Sequence, residues 1–183
     1  GGAGNPDVLR ELGRELGFDV DVVDDVRAIG AGRRVSSTWI REVLAEGDVE
    51  TAAKLLGRPA SVWGEVVHGL KRGRALGFPT ANLSPDLEGF VPADGVYAGW
   101  LTRRDTAERF PAAISVGTNP TFSGDRYRRV ESYVLDRDDL ELYGVEVEVA
   151  FVERLRGMVR FDSVDDLIER MHHDVDRARE LLV

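Results

Sequence analysis

With 183 residues, of which 43% are hydrophobic, the chain is long enough to bury one sizeable core and to add a smaller helical unit. Its net charge of −9 argues against a protein that binds nucleic acid by neutralising many phosphates, and without cysteine it can form neither disulfides nor thiolate metal sites. No apolar run approaches the roughly 20 residues of a membrane helix, and the first residues show no signal-peptide pattern. We therefore expect a cytoplasmic protein with neither nucleic-acid nor membrane partners.

The first part of the chain has the pattern of a small helical unit. Asn5 and Pro6 are typical of a helix start, the apolar residues that follow recur on one side, and Gly17 marks the end. The alternating residues 18–23 favour a strand of a parallel sheet. We find no partner strand for it elsewhere in the sequence.

Two shorter helices are predicted next. Residues 35–38, Val-Ser-Ser-Thr, begin a helix that ends near Gly47, and Asp48 caps a helix that reaches about Leu56. Hydroxyl side chains at a helix start are ordinary caps. Together with the nearby Arg41 they also suit phosphate binding at a helix N-terminus, and both interpretations stay open.

After residues 57–60, Gly-Arg-Pro-Ala, the period of the apolar pattern changes from about 3.6 to 2. We place a domain boundary here, between domains 1–57 and 58–183. Strands are predicted at residues 61–68, 95–102, 112–116, 129–135 and 144–155, with turns marked by Gly, Pro and Asp between them. Several short strands with irregular turns favour a mainly β fold, and a closed antiparallel barrel over a parallel sheet.

A C-terminal helix is predicted to begin after Ser163, which caps an acidic first turn. We expect its apolar stripe to cover one face or end of the barrel, and the stripe consists of Leu167, Ile168, Met171, Val175, Ala178 and Leu182. His172 and His173 lie on or beside this stripe and are interpreted as surface residues. Neither they nor His68 have the spacing of a zinc site.

Residues 69–82 join a glycine-rich basic loop to a short extended segment. Backbone amides and positive side chains suited to a phosphate are supplied by Gly69, Lys71, Arg72, Gly73, Arg74 and Gly77. A solvated turn is the ordinary alternative for such a run. The loop is also not a Walker A motif, because no Gly-Lys-Ser/Thr ends it.

The extended segment offers two oxygen ligands. Pro79 favours extended backbone on both of its sides, so that Thr80 and Asn82 share one face. Their hydroxyl and carboxamide oxygens are neutral hard donors, which Mg²⁺ accepts when nucleotide phosphates and water complete its shell. The sequence thus predicts a Mg²⁺ and nucleotide-phosphate site at these two residues.

A carboxylate in a predicted strand is the second chemical element. In residues 130–136, Val-Glu-Ser-Tyr-Val-Leu-Asp, Glu131 and Tyr133 share one face. A strand carboxylate is ordinarily a solvated residue. If Glu131 instead faces Thr80 across the mouth of the barrel, it is the natural general base for a hydroxyl that attacks a phosphoryl group.

Four motifs together resemble the riboflavin kinase family: residues 73–83 (GRALGFPTANL), 130–136 (VESYVLD), 142–144 (LYG), and 155–156 with 160–163 (LR and RFDS). The Pro-Thr-Ala-Asn element is highly specific to that family, and the resemblance runs from about Ala60 to the C-terminus. It implies phosphorylation of the riboflavin 5′-hydroxyl by ATP with Mg²⁺, which gives FMN and ADP. It also implies a six-stranded Greek-key barrel.

Carried onto this sequence, the resemblance implies Glu131 as the catalytic base, and Thr80 and Asn82 as contacts of Mg²⁺ and the ATP phosphates. The remaining nucleotide-binding residues would be Gly69, Lys71, Gly73, Arg74, Gly77, Pro79 and Tyr143. The flavin-binding residues would be Leu142, Gly144, Arg156 and Phe161. A mobile flap would include Gly117, Asn119 and Pro120.

Residues 1–57 resemble the last part of the adenylyltransferase module of bacterial bifunctional riboflavin kinase/FMN adenylyltransferases, through residues 35–41 and 49–59. We interpret them as a mostly helical remnant of an α/β domain, and residues 1–4 look like a loop entered midway. Because the His-x-Gly-His signature of that module is absent from this sequence, we expect the parent protein, but not this chain, to adenylylate FMN. Two alternatives remain: a non-catalytic flavin- or nucleotide-binding barrel, and a nucleic-acid-binding barrel, which the acidic charge disfavours.

Overall fold

The computed structural model describes residues 5–25, 32–69, 73, 76–118 and 128–183. The chain forms two compact units, Gly1–Val35 and Ser36–Val183. Among the described residues, no helix has both the length and the apolar character needed to cross a membrane.

The first unit contains helix α1, Pro6–Leu16. Asn5 Oδ1 accepts hydrogen bonds from the backbone N–H groups of Asp7 and Val8, at 3.0 and 2.9 Å, and Gly17 ends the helix in a left-handed conformation with φ of 76°. The predicted helix and its caps are therefore confirmed. The strand predicted at residues 18–23 is wrong, because this segment forms neither helix nor strand. Alternation alone does not make a strand when no second strand pairs with its backbone groups.

Helices α2, Ser37–Glu46, and α3, Val49–Leu56, belong to the second unit. Ser36 and Asp48 cap them, as predicted. Their apolar residues share a core with the barrel, namely Val43, Leu44, Val49 and Ala52. The compact units thus divide the chain earlier than the predicted boundary. The division into a 1–57 module and a 58–183 module stays a prediction.

Six strands form a closed antiparallel barrel: β1 Ala60–Val67, β2 Ala81–Leu83, β3 Gly95–Arg103, β4 Arg109–Thr118, β5 Arg128–Val134 and β6 Glu146–Arg156. Around the barrel their order is β1-β2-β5-β4-β3-β6. Strands β3, β4 and β5 are consecutive neighbours, and β6 returns to lie beside β3, which is the Greek-key arrangement. The predicted fold class is confirmed.

Helix α4, Val164–Leu182, covers part of the outer face of the barrel. Ser163 Oγ accepts from the backbone N–H of Asp166 at 3.0 Å, as the capping pattern predicted. Val175 and Ala178 are buried in a cluster that includes Phe78, Ala98, Ala113 and Leu135, outside the interior of the barrel. His172 and His173 are exposed, in agreement with their interpretation as surface residues.

Candidate active site

The pairing of β2 with β5 brings together the three residues that the sequence singled out. Asn82 lies directly opposite Glu131, so both side chains point to the same face of the barrel as Thr80. In β5, Val130, Ser132 and Val134 are buried and alternate with Glu131 on the outer face. Glu131 thus stands on the neighbouring strand. Glu131 faces Thr80, as expected, but the expected position across the barrel mouth is wrong, because β2 and β5, although far apart in sequence, are hydrogen-bonded neighbours.

Hydrogen bonds link these side chains into one polar group. Thr80 Oγ1 donates to Glu131 Oε2 at 3.4 Å. Asn82 Nδ2 donates to the backbone oxygen of Thr80 and to Thr80 Oγ1, each at 3.2 Å. All three bonds are partly buried. The Thr80 hydroxyl is therefore in direct contact with both the Asn82 carboxamide and the Glu131 carboxylate.

These three side chains fit a hard divalent cation. The Asn82 amide as placed turns its nitrogen toward Thr80, and a 180° rotation would present Oδ1 without changing the shape of the side chain. Among the described residues, no group of three or more His, Cys, Asp or Glu side chains is placed to hold a metal ion. A metal bound here would take a few neutral or carboxylate oxygens from the protein and the rest from substrate and water, which is the usual pattern for Mg²⁺.

A small cavity, which we call the loop cavity, opens on the β1-β2 side of this polar group. Its volume is about 80 Å³, and its lining includes Gly69, Pro79, Thr80, Asn82, Leu142 and Tyr143. A Cβ atom at Gly69 would overlap the Asn82 side chain, so the absence of a side chain at position 69 is a condition for the observed Asn82 position. Five of the residues predicted to bind nucleotide thus line one cavity.

Other glycines of the same motif shape the turn before Pro79. The backbone oxygen of Gly73 accepts from Leu76 and Phe78, at 3.0 and 2.9 Å, and Gly77 has a φ of 87°. Gly144 has a φ of 75° in the turn that precedes β6, donates its N–H to Val66 O of β1, and lines neither cavity described here. Lys71, Arg72, Arg74, Asn119 and Pro120 lie outside the described residues, and Gly117 is part of β4.

A charged pair lies at the edge of the loop cavity. Arg137 lines it and bonds both carboxylate oxygens of Asp139, at 2.6 and 3.0 Å. This hydrogen bonding from Arg137 holds the pKa of Asp139 below its ordinary value. The pair therefore stays charged on both sides at neutral pH.

A second cavity, which we call the helix cavity, lies between the outer face of the barrel and α4. Its volume is about 230 Å³ and most of its lining is apolar, with Val96, Ala113, Phe161, Met171 and Val175 among the residues. Thr80, Glu131 and Arg156 supply polar groups to it. Thr80 lines both cavities, so the polar group of Thr80, Asn82 and Glu131 stands where the two meet.

The four residues predicted to bind flavin do not lie together. Arg156 and Phe161 line the helix cavity, whereas Leu142 lines the loop cavity beside Tyr143. The sequence reasoning overlooked Ser115 and Asp174, which line the helix cavity. For Asp174 a signal was available, because a charged residue occupies a position on the apolar stripe of α4, three residues after Met171 and one before Val175.

Comparisons with known proteins agree with one another on the family. The family model for riboflavin kinase (flavokinase) matches residues 56–182. A bifunctional riboflavin kinase/FMN adenylyltransferase of Listeria monocytogenes is 38% identical over 162 residues, which is 88% of this chain and 50% of the relative. One from Haemophilus influenzae is 37% identical, over 96% of this chain and 55% of the relative. The chain thus spans about half the length of the curated relatives it matches.

A solved structure is also similar to this chain. A crystal structure described as a macrolide-efflux protein from Streptococcus pneumoniae matches with a TM-score of 0.77 and 38% identity, over 93% of this chain and 54% of that one. The helices and barrel described above therefore have a counterpart in an experimental structure.

Proposed function

The chain belongs to the riboflavin kinase family, and from this premise we propose that it transfers the γ-phosphoryl group of ATP to the 5′-hydroxyl of riboflavin, with FMN and ADP as products. One observation carries the proposal: Thr80 lines both cavities and donates to Glu131 at 3.4 Å. A nucleotide in one cavity and a flavin in the other would meet beside a carboxylate able to accept a proton.

The two substrates are assigned to the cavities by their chemistry. The helix cavity is the larger and is mostly apolar, which suits a flat aromatic ring system. The loop cavity has the Pro-Thr-Ala-Asn segment and Gly69 in its wall, which suits the phosphates of ATP. We therefore assign Leu142 to the nucleotide side together with Tyr143. Arg156 and Phe161 stay on the flavin side.

Glu131 is proposed as the catalytic base. Its carboxylate takes the proton from the riboflavin 5′-hydroxyl as that oxygen bonds to the γ-phosphorus, and the bond from phosphorus to the β-γ bridging oxygen breaks, so that the electron pair leaves with ADP. Thr80 donates to the same carboxylate and holds it beside the reacting atoms. General-base assistance of this kind contributes about 10² to 10⁴ in rate.

Thr80 and Asn82 are proposed to hold Mg²⁺ together with the ATP phosphates, since their side-chain oxygens can be turned to one point. When bound, Mg²⁺ supplies charge compensation for the phosphate oxygens. The protein contributes the positions of the two side chains, which come from Thr80, just before β2, and from Asn82 within it, with Asn82 Nδ2 3.2 Å from Thr80 Oγ1.

The relatives are bifunctional, and this chain corresponds to about half of their length. We assign the kinase reaction to residues 58–183 and propose that residues 1–57 belong to the adenylyltransferase module of a longer parent protein. This sequence contains no His-x-Gly-His signature, so we expect FMN and no FAD from this chain. Its cytoplasmic location stays a prediction.

One incubation tests the proposal. The chain is mixed with riboflavin, ATP and Mg²⁺, and the flavins are separated by chromatography while ADP is measured in the same sample. FMN with an equal amount of ADP is expected. Riboflavin binding without ADP formation would support a non-catalytic barrel instead, and FAD as a product would contradict the assignment of the second activity to residues outside this chain.

A further inference from the structure

A row of directly paired residues crosses five strands on the outer face of the barrel. Asn82 pairs with Glu131, Glu131 with Ser115, Ser115 with Val96, and Val96 with Arg156. All but Asn82 line the helix cavity. With a strand spacing near 4.8 Å, the backbones of Glu131 and Arg156 are about 14 Å apart along the sheet. The floor of the helix cavity therefore has a carboxylate at one end and a guanidinium at the other.

Arg156 is fixed by Asp174 of α4. Its Nη2 and Nε lie 2.7 and 2.9 Å from Asp174 Oδ2, Nε also lies 3.1 Å from Oδ1, and Nη1 donates to Gly157 O at 3.1 Å. The two side chains are only 12% and 6% exposed, and Asp174 has a second cation, Arg170, at 3.3 Å. A planar guanidinium held in this way cannot swing out of the cavity wall.

Stability alone is a weak reason for such a pair. The desolvation penalty for burying two charges offsets much of the free energy of their attraction. A protein with a pair of apolar residues of similar size in their place is often as stable. An exposed ion pair of the same helix, such as Arg179 with Asp176, contributes little. The Arg156–Asp174 pair is different because it lies in the wall of a cavity that is otherwise mostly apolar. A fixed set of N–H donors in such a place suits recognition of an acceptor on a ligand.

The flavin has a matching edge. With its 5′-hydroxyl at Glu131, as the proposed function requires, the ring system extends over Ser115 and Val96 toward Arg156. One end of an isoalloxazine carries carbonyl oxygens on its pyrimidine ring and the other end carries only methyl groups. We propose that Arg156 donates hydrogen bonds to the carbonyl edge of riboflavin, and that Asp174 is the positioning residue that aims the guanidinium at it. This inference rests on the proposed function.

The first test removes the carboxylate charge and keeps the side-chain shape. In Asp174→Asn, the dissociation constant for riboflavin, measured by quenching of flavin fluorescence, is expected to rise about tenfold, while the KM for ATP stays within twofold. Asp176→Asn is the matched control, because Asp176 lies on the same helix with a 70% exposed side chain that pairs with Arg179. The control is expected to leave both constants unchanged. Equal losses for ATP and riboflavin in Asp174→Asn would overturn the proposal.

A second variant separates recognition from folding. Because Asp174→Asn leaves the Arg156 charge buried with a weakened partner, the single variant is expected to lose stability for that reason alone. The double variant Arg156→Gln with Asp174→Asn removes both charges and keeps two groups that can bond to each other. We expect it to unfold at a temperature near that of the wild type and still to bind riboflavin about tenfold more weakly. Recovery of wild-type riboflavin binding in the double variant would show that the pair serves only the fold.

A third measurement tests directly whether Arg156 bonds to the carbonyl edge of the flavin. A riboflavin analogue with sulfur in place of a pyrimidine carbonyl oxygen is a weaker acceptor. The wild type should bind it several-fold more weakly than riboflavin, whereas Arg156→Gln should bind the two about equally. The same discrimination in both proteins would overturn the proposal. Formation of FMN by the wild type tests the kinase activity separately. If riboflavin binding depends on Asp174 but no FMN forms, the proposal that Arg156 recognises the carbonyl edge is supported and the proposed kinase activity is rejected.

Discussion

The loop cavity and the helix cavity share Thr80 but are enclosed in different ways. The loop cavity lies between β2, with nearby residues such as Gly69 and Pro79, and the residues from Ser132 in β5 to Tyr143, with no helix in its wall. The helix cavity exists only because α4, which begins about 80 residues after the Pro-Thr-Ala-Asn segment, packs on strands β3, β4 and β6. A cavity enclosed by neighbouring strands and their loops and a cavity enclosed by a helix thus meet at one polar group. Substitutions can show whether each cavity serves its own substrate.

The largest effect is expected where the cavities meet. Glu131→Gln should lower kcat by about 10² to 10⁴, because the amide cannot accept the proton of the attacking hydroxyl, while ATP and riboflavin still bind. Titration calorimetry for both ligands, together with a kinase assay, checks this. Glu153→Gln is the matched control, since Glu153 lies on β6 outside both cavities and pairs with Arg177 of α4. Near-normal turnover of Glu131→Gln would remove the catalytic base from the mechanism.

The next effect should be confined to the loop cavity. Asn82→Ala removes the side chain that bonds Thr80 Oγ1 and Thr80 O, and the KM for Mg·ATP is expected to rise about 10- to 100-fold. Riboflavin affinity should stay within twofold, because Asn82 does not line the helix cavity. A titration of Mg²⁺ at fixed ATP should shift in the same direction. Equal weakening of both substrates would show that the two cavities are not separate sites.

A smaller effect on the same cavity is expected from Gly69→Ala. The backbone of Gly69 does not require positive φ, but the added Cβ would overlap the Asn82 side chain and displace it. We expect the KM for ATP to rise about fivefold, because the displaced amide no longer holds Thr80. A double-mutant cycle checks the cause: in the Asn82→Ala background, Gly69→Ala should add little. Additive effects would mean that position 69 acts independently of Asn82.

The smallest effect concerns the interior wall of the loop cavity. Ser132 is fully buried, and its Oγ has no hydrogen-bond partner among the described residues. Because no bond would be broken, Ser132→Ala should change the free energy of unfolding by less than about 1 kcal/mol, or increase it. Urea unfolding of the two proteins measures this. A destabilisation of about 2 kcal/mol or more would show that the hydroxyl is satisfied by a bond in solution.

Two helices show how far an apolar pattern predicts structure. The stripes of α1 and α4 both predicted a helix with the right caps, and both helices are present. The stripe of α4 packs on the barrel, whereas Val8, Leu9, Leu12 and Leu16 of α1 are 40 to 72% exposed. Periodicity reports the local conformation because it follows from 3.6 residues per turn. It does not report what, if anything, covers the apolar side.

The amino-acid sequence by itself determined the helix ends, five of the six strands and the extended Pro-Thr-Ala-Asn segment. It also determined the alternation that turns Glu131 away from the barrel core. These features depend on residues a few positions apart. Only the tertiary structure decided that β5 pairs with β2, that Leu142 and Arg156 line different cavities, and that Asp174 meets Arg156. These are contacts between segments distant along the chain. Their register is set by which faces pack together, and no short stretch of sequence carries that information.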